Sequence, residues 1–220
     1  MAAAIIFDLD GTLVDSLGDI AAAANRTLED IELPPLPKEI IASFVGNGLP
    51  KLVERMIRHV GLPAKRHTEL TKRMRAHYDA AASSTTVPYP GIPGALEKLY
   101  AKGYTFGVCT NKPEAPARHI LHALGLSRFF DVVLGGDSMA MRKPDPRHLL
   151  ASFDALDSAG RRLFVGDSEV DAETAVRADV PFLLFTQGYR KTPVVNIPHT
   201  AAYDHAAELP SRVAQLLEVK

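Results

Sequence analysis

The chain has one cysteine, Cys109, and no tryptophan. A single thiol excludes an internal disulfide framework and any zinc module built on several cysteines. Net charge is also nearly absent: 25 Lys and Arg oppose 26 Asp and Glu, for a formal charge of -1. That balance gives no reason to expect a nucleic-acid partner or a polybasic membrane surface. Long apolar runs are missing too. The stretch from Met1 to Ile6 has no basic leader, and its hydrophobicity breaks at Asp8 before reaching signal or membrane-spanning length. What remains is 220 residues, 46% hydrophobic and 23% charged, enough to bury a core without covalent staples. The expectation is a soluble cytoplasmic protein with a small-molecule partner, no nucleic acid and no membrane, as monomer or homodimer.

Residues 4–9, Ala-Ile-Ile-Phe-Asp-Leu, are apolar without clean alternation, as in a strand buried on both faces. Similar runs recur at Tyr104–Cys109, Phe130–Leu134, Leu163–Val165 and Phe182–Phe185, with helical periodicity near 92–102, 115–124, 146–156 and 169–178. This alternation predicts an α/β fold with a Rossmann-like, mostly parallel sheet. Residues 16–86 interrupt it. Leu17, Ile20, Ala21, Ala24 and Leu28 make one helical stripe, and Leu49, Leu52, Val53, Met56 and Ile57 another. A polar third helix is expected over roughly 63–82, with Leu70, Met74 and Tyr78 on one side. The segment is too long for one crossover. It reads as a small helical cap domain inserted after the first strand, with residues 1–15 and 88–220 forming the catalytic core domain.

Chemistry-bearing residues gather at the carboxyl ends of the expected strands, where α/β folds place their sites. Asp8-Leu9-Asp10-Gly11-Thr12 ends the first strand. If the strand persisted, Asp8 and Asp10 would point the same way and repel unless a cation, a proton or a basic group intervened. Thr110-Asn111-Lys112-Pro113, Lys143-Pro144 and Gly166-Asp167-Ser168-Glu169-Val170-Asp171 form three further stations. Each has a plainer reading alone: Thr110 or Asp167 as a helix N-cap, Lys143 as a solvated flank, Asp171 as a first-turn acid. Together, several carboxylates, a hydroxyl and an ammonium in one crevice suit a hard divalent cation and a phosphate dianion.

These four ordered stations, with the helical insertion after the first, resemble the motifs of the haloacid dehalogenase-like hydrolases over nearly the whole chain. Thr110-Asn111-Lys112-Pro113, Gly135-Gly136-Asp137, Arg142-Lys143-Pro144-Asp145-Pro146 and Val45-Gly46-Asn47-Gly48 resemble the phosphoglycolate phosphatases within that superfamily. The resemblance implies Mg²⁺-dependent hydrolysis of a phosphomonoester, 2-phosphoglycolate foremost. It makes Asp8 the nucleophile, Asp10 the general acid/base, Thr110 with Asn111 the phosphate binders and Lys143 the partner of Asp8. It gives Mg²⁺ to Asp8, the Asp10 main-chain carbonyl and Asp167. Asp171 stands nearby as ligand support or hydrogen-bond partner of Lys143. The chemistry agrees: a carboxylate attacking a phosphate dianion needs cationic neutralisation, and a poor alkoxide leaving group needs a proton.

The core motifs are blind to the leaving group, so selectivity is expected from the cap. Gly46-Asn47-Gly48 could offer main-chain N–H groups to a carboxylate, or be a plain turn between helices. Other capped phosphatases, acting on pyrophosphate or a sugar phosphate, are the alternative, followed by a sugar phosphomutase. A phosphoacceptor signalling module is the reading from a different class. His59, His67, His77, His119 and His122 are expected at the surface, and Cys109 as an inert buried hydrophobe.

Overall fold

The computed structural model describes residues 3–81, 84–157 and 160–217. The chain divides into two compact units, Met1–Asp15 with Val87–Lys220, and Ser16–Thr86. It begins with β1 (Ala4–Phe7) and the short β2 (Val14–Asp15). The second unit holds α1 (Leu17–Glu29), α2 (Lys38–Ala42), α3 (Leu49–His59) and α4 (His67–Ala81). The first unit resumes with β3 (Val87–Pro88), α5 (Ile92–Ala101), β4 (Thr105–Cys109), α6 (Glu114–Ala123) and β5 (Val132–Leu134). It finishes with α7 (Pro146–Ala155), β6 (Arg162–Gly166), α8 (Glu169–Ala178), β7 (Phe182–Phe185), β8 (Ala201–Tyr203) and α9 (Leu209–Leu217).

Six parallel strands form one sheet in the order β5-β4-β1-β6-β7-β8. The central strand β1 is wholly buried, Ala4 through Phe7 each at 0% exposure, which is why its sequence shows no alternation. Its side chains serve opposite layers. Ile5 and Phe7 join a cluster with Leu96, Leu99, Ile120, Leu121 and Val213 from α5, α6 and α9. Ala4 and Ile6 join Leu149, Phe153, Ala172 and Ala175 from α7 and α8. The sheet is thus covered on both faces, the expected α/β architecture with a helical insertion. After β5 the chain returns across β1 to start β6, so a crevice opens at the carboxyl end of β1.

Register then fixes the site. Phe7 pairs with Val108 on one side and Val165 on the other, and the Asp8 N–H donates to the Val165 carbonyl at 2.8 Å. Asp8, Thr110 and Asp167 therefore leave three adjacent strands at one edge. The strand itself stops at Phe7, earlier than the apolar run predicts; residues 8–10 have already left the ladder, and Gly11 at φ +91° turns the chain after them. The β2–β3 ribbon, β8 and α9 are additions to the sequence reading. The ribbon has two residues per strand, too few for a periodic signal.

In the helical unit, α1 and α3 each pack on α4. Ile20, Ala21, Ala24 and Leu28 are buried in α1, Leu52, Val53, Met56 and Ile57 in α3, and Leu70 and Met74 in α4; Leu17, Leu49 and Tyr78 are half-buried. The helix expected from 63 begins instead at His67, after a 3₁₀ turn over Ala64–Arg66 that follows Pro63 in extended backbone. The expected end at Ala82 lies outside the described residues. Asp19, in the first turn of α1, is 2% exposed. It accepts the N–H and hydroxyl of Thr85 (3.0 and 2.7 Å), those of Thr86 (3.0 and 2.6 Å) and the hydroxyl of Ser84 (3.2 Å). Gly18 leaves room for this clasp, since a Cβ there would overlap the Thr85 hydroxyl.

Removing the clasp orphans several donors at once. Asp19→Ala is expected to destabilise the helical unit by about 2–3 kcal/mol, with Asp19→Asn in between, measured by thermal melts followed by circular dichroism. An unchanged melt would show that water replaces the carboxylate without loss.

A second expectation comes from α7, which buries His148 at 0% exposure with neither ring nitrogen in a well-formed hydrogen bond. Burial first, then the nearby Lys143 charge, push its pKa from 6.5 down to about 4, against weak opposition from the Gly135 main chain and Asp145. The unfolded chain therefore takes up the proton first as pH falls. Its contribution to stability is intact above pH 6.5 and declines towards pH 4, by up to about 1.4 kcal/mol per pH unit. His148→Leu should flatten the pH dependence of the denaturation midpoint between pH 7 and 5. A slope equal to wild type would place the acid sensitivity elsewhere.

Candidate active site

Lys143 enters the crevice from the loop before α7 and is 2% exposed. Its Nζ lies 2.9 Å from Asp8 Oδ1 and 2.6 Å from Asp171 Oδ1, with the Phe164 ring 5.4 Å away. The Asn111 side-chain amide donates to the Lys143 carbonyl at 3.0 Å, fixing that loop from the main chain. Asp8 Oδ1 also accepts the Leu9 N–H at 2.7 Å. Lys143 is thus a buried bridge between two carboxylates and no solvated flank.

Asp171 is committed to the protein through both oxygens. While Oδ1 takes Lys143, Oδ2 accepts the N–H groups of Asp167 (3.3 Å) and Ser168 (3.1 Å) and the Ser168 hydroxyl (2.6 Å). Ser168, and not Asp167, is the N-cap of α8, in a capping box closed by Asp171. Asp167 is left for the crevice. Its Oδ1 accepts the Thr12 hydroxyl at 2.8 Å and its Oδ2 the Tyr189 N–H at 2.7 Å. Glycine makes space on both sides, because a Cβ on Gly11 would lie 2.5 Å from Asp167 Oδ2, and one on Gly188 would overlap the Asp167 side chain. Thr110, 2% exposed, is likewise no helix cap, since Pro113 takes that place before α6; its hydroxyl accepts the Lys112 N–H at 3.2 Å.

Asp10 does not share the cation of Asp8. It has a lysine of its own: Lys112 Nζ lies 2.9 Å from each Asp10 oxygen. Each carboxylate of the expected like-charge pair thus meets an ammonium, Lys143 at Asp8 and Lys112 at Asp10.

Electrostatics marks the inner group. Burial foremost, and the Asp171 charge in addition, push Asp8 up to about 7 despite Lys143. Burial, followed by Asp171 and Asp8, holds Asp167 well above the usual carboxylate range. Burial works against the Lys143 ammonium, but Asp171 and Asp8 outweigh it and hold its pKa above the ordinary lysine value. Asp8, Asp167 and Asp171 offer oxygens within 4.8 Å of one another. Three carboxylates against one ammonium leave two negative charges to balance, all on hard oxygen donors. A divalent cation such as Mg²⁺ fits that set, and its charge would relieve the repulsion that raises Asp8 and Asp167.

Gly46 and Gly48 have φ of +122° and +79°, conformations that need glycine. Arg55 ties their loop by donating to the Phe44 and Val45 carbonyls (2.7 and 3.2 Å) and to Asn47 Oδ1 (2.6 Å). Cys109 is buried with its thiol pushed up to about 12 by burial, inert as expected. His59, His119 and His122 are exposed. His67 and His77 are half-buried instead, held by the Pro50 carbonyl (2.8 Å) and Asp30 (2.8 Å). Sequence reasoning did not single out Thr12, Lys112 or Tyr189. Thr12 and Lys112 carried a signal in sharing stations with Asp8 and Thr110. Tyr189 lies in a loop without a motif. No helix among the described residues is long and apolar enough to cross a membrane.

Residues 5–185 match the family model described as haloacid dehalogenase-like hydrolase. A phosphoglycolate phosphatase of Cereibacter sphaeroides is 45% identical over 215 residues, covering 97% of this chain and 98% of that protein. One from Rhodospirillum rubrum is 41% identical over 216 residues, covering 95% and 90%. Among solved structures, a predicted phosphoglycolate phosphatase from Haemophilus somnus superposes with a TM-score of 0.88 at 30% identity, covering 95% of this chain and 96% of its own.

Proposed function

The chain belongs to the haloacid dehalogenase-like hydrolases, and from that membership we propose that it is a Mg²⁺-dependent phosphatase converting 2-phosphoglycolate to glycolate and phosphate. The observation that carries this reading is the 45% identity to a phosphoglycolate phosphatase over almost the full length of both chains, with the buried Asp8–Lys143–Asp171 bridge intact.

Asp8 is the nucleophile. One of its carboxylate oxygens bonds to phosphorus while the phosphorus–alkoxide bond breaks, giving an aspartyl-phosphate. Asp10 gives its proton to the departing alkoxide and then takes one from the water that attacks phosphorus and releases Asp8. Lys143 offsets the charge that accumulates on Asp8 and the phosphoryl group. The Thr110 hydroxyl binds a phosphoryl oxygen, and Asn111 holds both the approach and the Lys143 backbone. Asp8, the Asp10 carbonyl and Asp167 would hold Mg²⁺, which supplies electrostatic neutralisation of the phosphate dianion. Asp171, with both oxygens engaged, supports that set by fixing Lys143. Gly46, Asn47 and Gly48 give the helical unit's share of substrate binding through main-chain N–H groups.

A steady-state panel of 2-phosphoglycolate, ethyl phosphate, a sugar phosphate and pyrophosphate, with and without Mg²⁺, tests the substrate. 2-Phosphoglycolate should lead in kcat/KM and all rates should require the metal; equal rates on 2-phosphoglycolate and ethyl phosphate would reject the assignment. Asp8→Asn should lose turnover by at least about 10³-fold with its melting temperature kept. Beryllofluoride should occupy the wild-type site and not the variant.

Asp10 and Asp167 separate by metal dependence. Asp10→Asn keeps its main-chain carbonyl and should show near wild-type half-saturation by Mg²⁺ with a low maximal rate. Asp167→Asn should need more Mg²⁺ and recover part of its rate at high metal. Identical Mg²⁺ titrations in the two variants would overturn this division of roles.

A further inference from the structure

The reaction above leaves a second buried cation without a role. Lys112 is 8% exposed, and its main chain is held at both ends. Its N–H donates to the Thr110 hydroxyl at 3.2 Å and its carbonyl accepts the Gly136 N–H at 2.8 Å. From this fixed base the ammonium reaches Asp10, 2.9 Å from each carboxylate oxygen. A lysine buried so far requires an anionic partner, and Asp10 is that partner. The same contact makes both Asp10 oxygens acceptors, whereas proton delivery to the leaving group requires one of them to act as a donor.

Position next to Asp10 also defines what Lys112 can touch. The leaving oxygen of the substrate has to come within about 3 Å of an Asp10 oxygen for the proton to pass. In 2-phosphoglycolate a single methylene joins that oxygen to the carboxylate. A cation hydrogen-bonded to Asp10 therefore borders the leaving group, and in this substrate the leaving group ends in a negative charge. We propose that Lys112 is the specificity residue that reads the substrate's carboxylate, exchanging an Asp10 oxygen for a carboxylate oxygen when 2-phosphoglycolate binds.

The exchange trades one carboxylate partner for another, so the buried ammonium keeps a counter-charge throughout. It frees one Asp10 oxygen from the ammonium, and that oxygen, once it has taken a proton from solvent, gives it to the alkoxide as the phosphorus–oxygen bond breaks. An ester without a carboxylate offers no replacement partner, and Asp10 stays engaged. Recognition and acid catalysis are thereby coupled in one residue pair, so selectivity appears in kcat/KM for turnover as well as in binding. The inference rests on 2-phosphoglycolate being the substrate.

The test compares wild type, Lys112→Gln and Lys112→Arg on 2-phosphoglycolate and ethyl phosphate at saturating Mg²⁺, with melting curves alongside. Wild type should prefer 2-phosphoglycolate. In Lys112→Gln the ratio of kcat/KM on 2-phosphoglycolate to that on ethyl phosphate should fall by roughly ten- to a hundred-fold, beyond any loss common to both substrates from the changed support of Asp10. Lys112→Arg keeps a cation on Asp10 and so serves if the Gln variant melts early. A fork that stays bidentate on Asp10 should shift the substrate ratio in the same direction by a smaller factor. Equal fractional losses on both substrates, or an unchanged ratio in a folded variant, would overturn the assignment and leave Lys112 as a support for Asp10. Absence of a preference in wild type would reject the substrate reading before any variant is considered.

Discussion

Everything at the crevice depends on Lys143 being held between Asp8 and Asp171. A buried carboxylate without a counter-charge takes up a proton, and a protonated Asp8 could not take the nucleophile's part proposed for it. Lys143 opposes that outcome only because its ammonium is fixed, and it is fixed because Asp171 is spent entirely on the protein. One Asp171 oxygen holds Lys143, and the other holds the first turn of α8 through Asp167, Ser168 and the Ser168 hydroxyl. Asp8 is still pushed up to about 7, so a single ammonium does not complete the balance. The remaining deficit is what makes the site a receptor for a divalent cation.

Such a group is costly to bury, and the fold supplies the offset. The strands that end at the crevice are apolar on both faces, and β1 is closed to solvent along its whole length. Their register carries the consequence, since pairing of Phe7 with both Val108 and Val165 leaves the next residues no choice but to converge. A slip of one residue would turn Asp8 towards the opposite layer. Two glycines complete the fit: Gly11 turns the chain and Gly188 leaves space, so Asp167 can sit against the β1 turn with both oxygens oriented.

Much of this was legible in the chain. Continuous apolar runs announced β1, β4, β6 and β7, the stations at the ends of β1, β4 and β6 announced Asp8, Thr110 and Asp167, and the motif before α7 announced Lys143, because buried strands and strand-end chemistry both leave local patterns. Contacts made by loops did not. Tyr189 reaches Asp167 through its main-chain N–H and Asp15 through its hydroxyl at 2.7 Å, joining segments far apart in sequence without any periodic mark. His148 carried no warning either, since a polar residue in a helix pattern reads as exposed until the packing of α7 is known. The spacing of Asp8 and Asp10 misled in one respect. Two-residue alternation holds along an extended strand, and β1 ends at Phe7, before either aspartate.

The two lysine–aspartate pairs that result are chemically alike and mechanically different. Lys143 has two carboxylates, one of them anchored by three further hydrogen bonds, and its side chain is 1% exposed. Moving it would strand a charge on Asp171, so it is suited to stay still while charge develops around it. Lys112 faces Asp10, whose side chain is 16% exposed at the mouth of the crevice. In the exchange proposed above, an incoming carboxylate would take the place of one Asp10 oxygen there. Preorganisation favours a fixed cation where the phosphoryl group reacts, and selectivity favours an exchangeable one where substrates differ. Placing both within one strand-end cluster would let a single fold meet the two requirements with the same pair of residue types, one ammonium bridging Asp8 and Asp171 and the other set against Asp10.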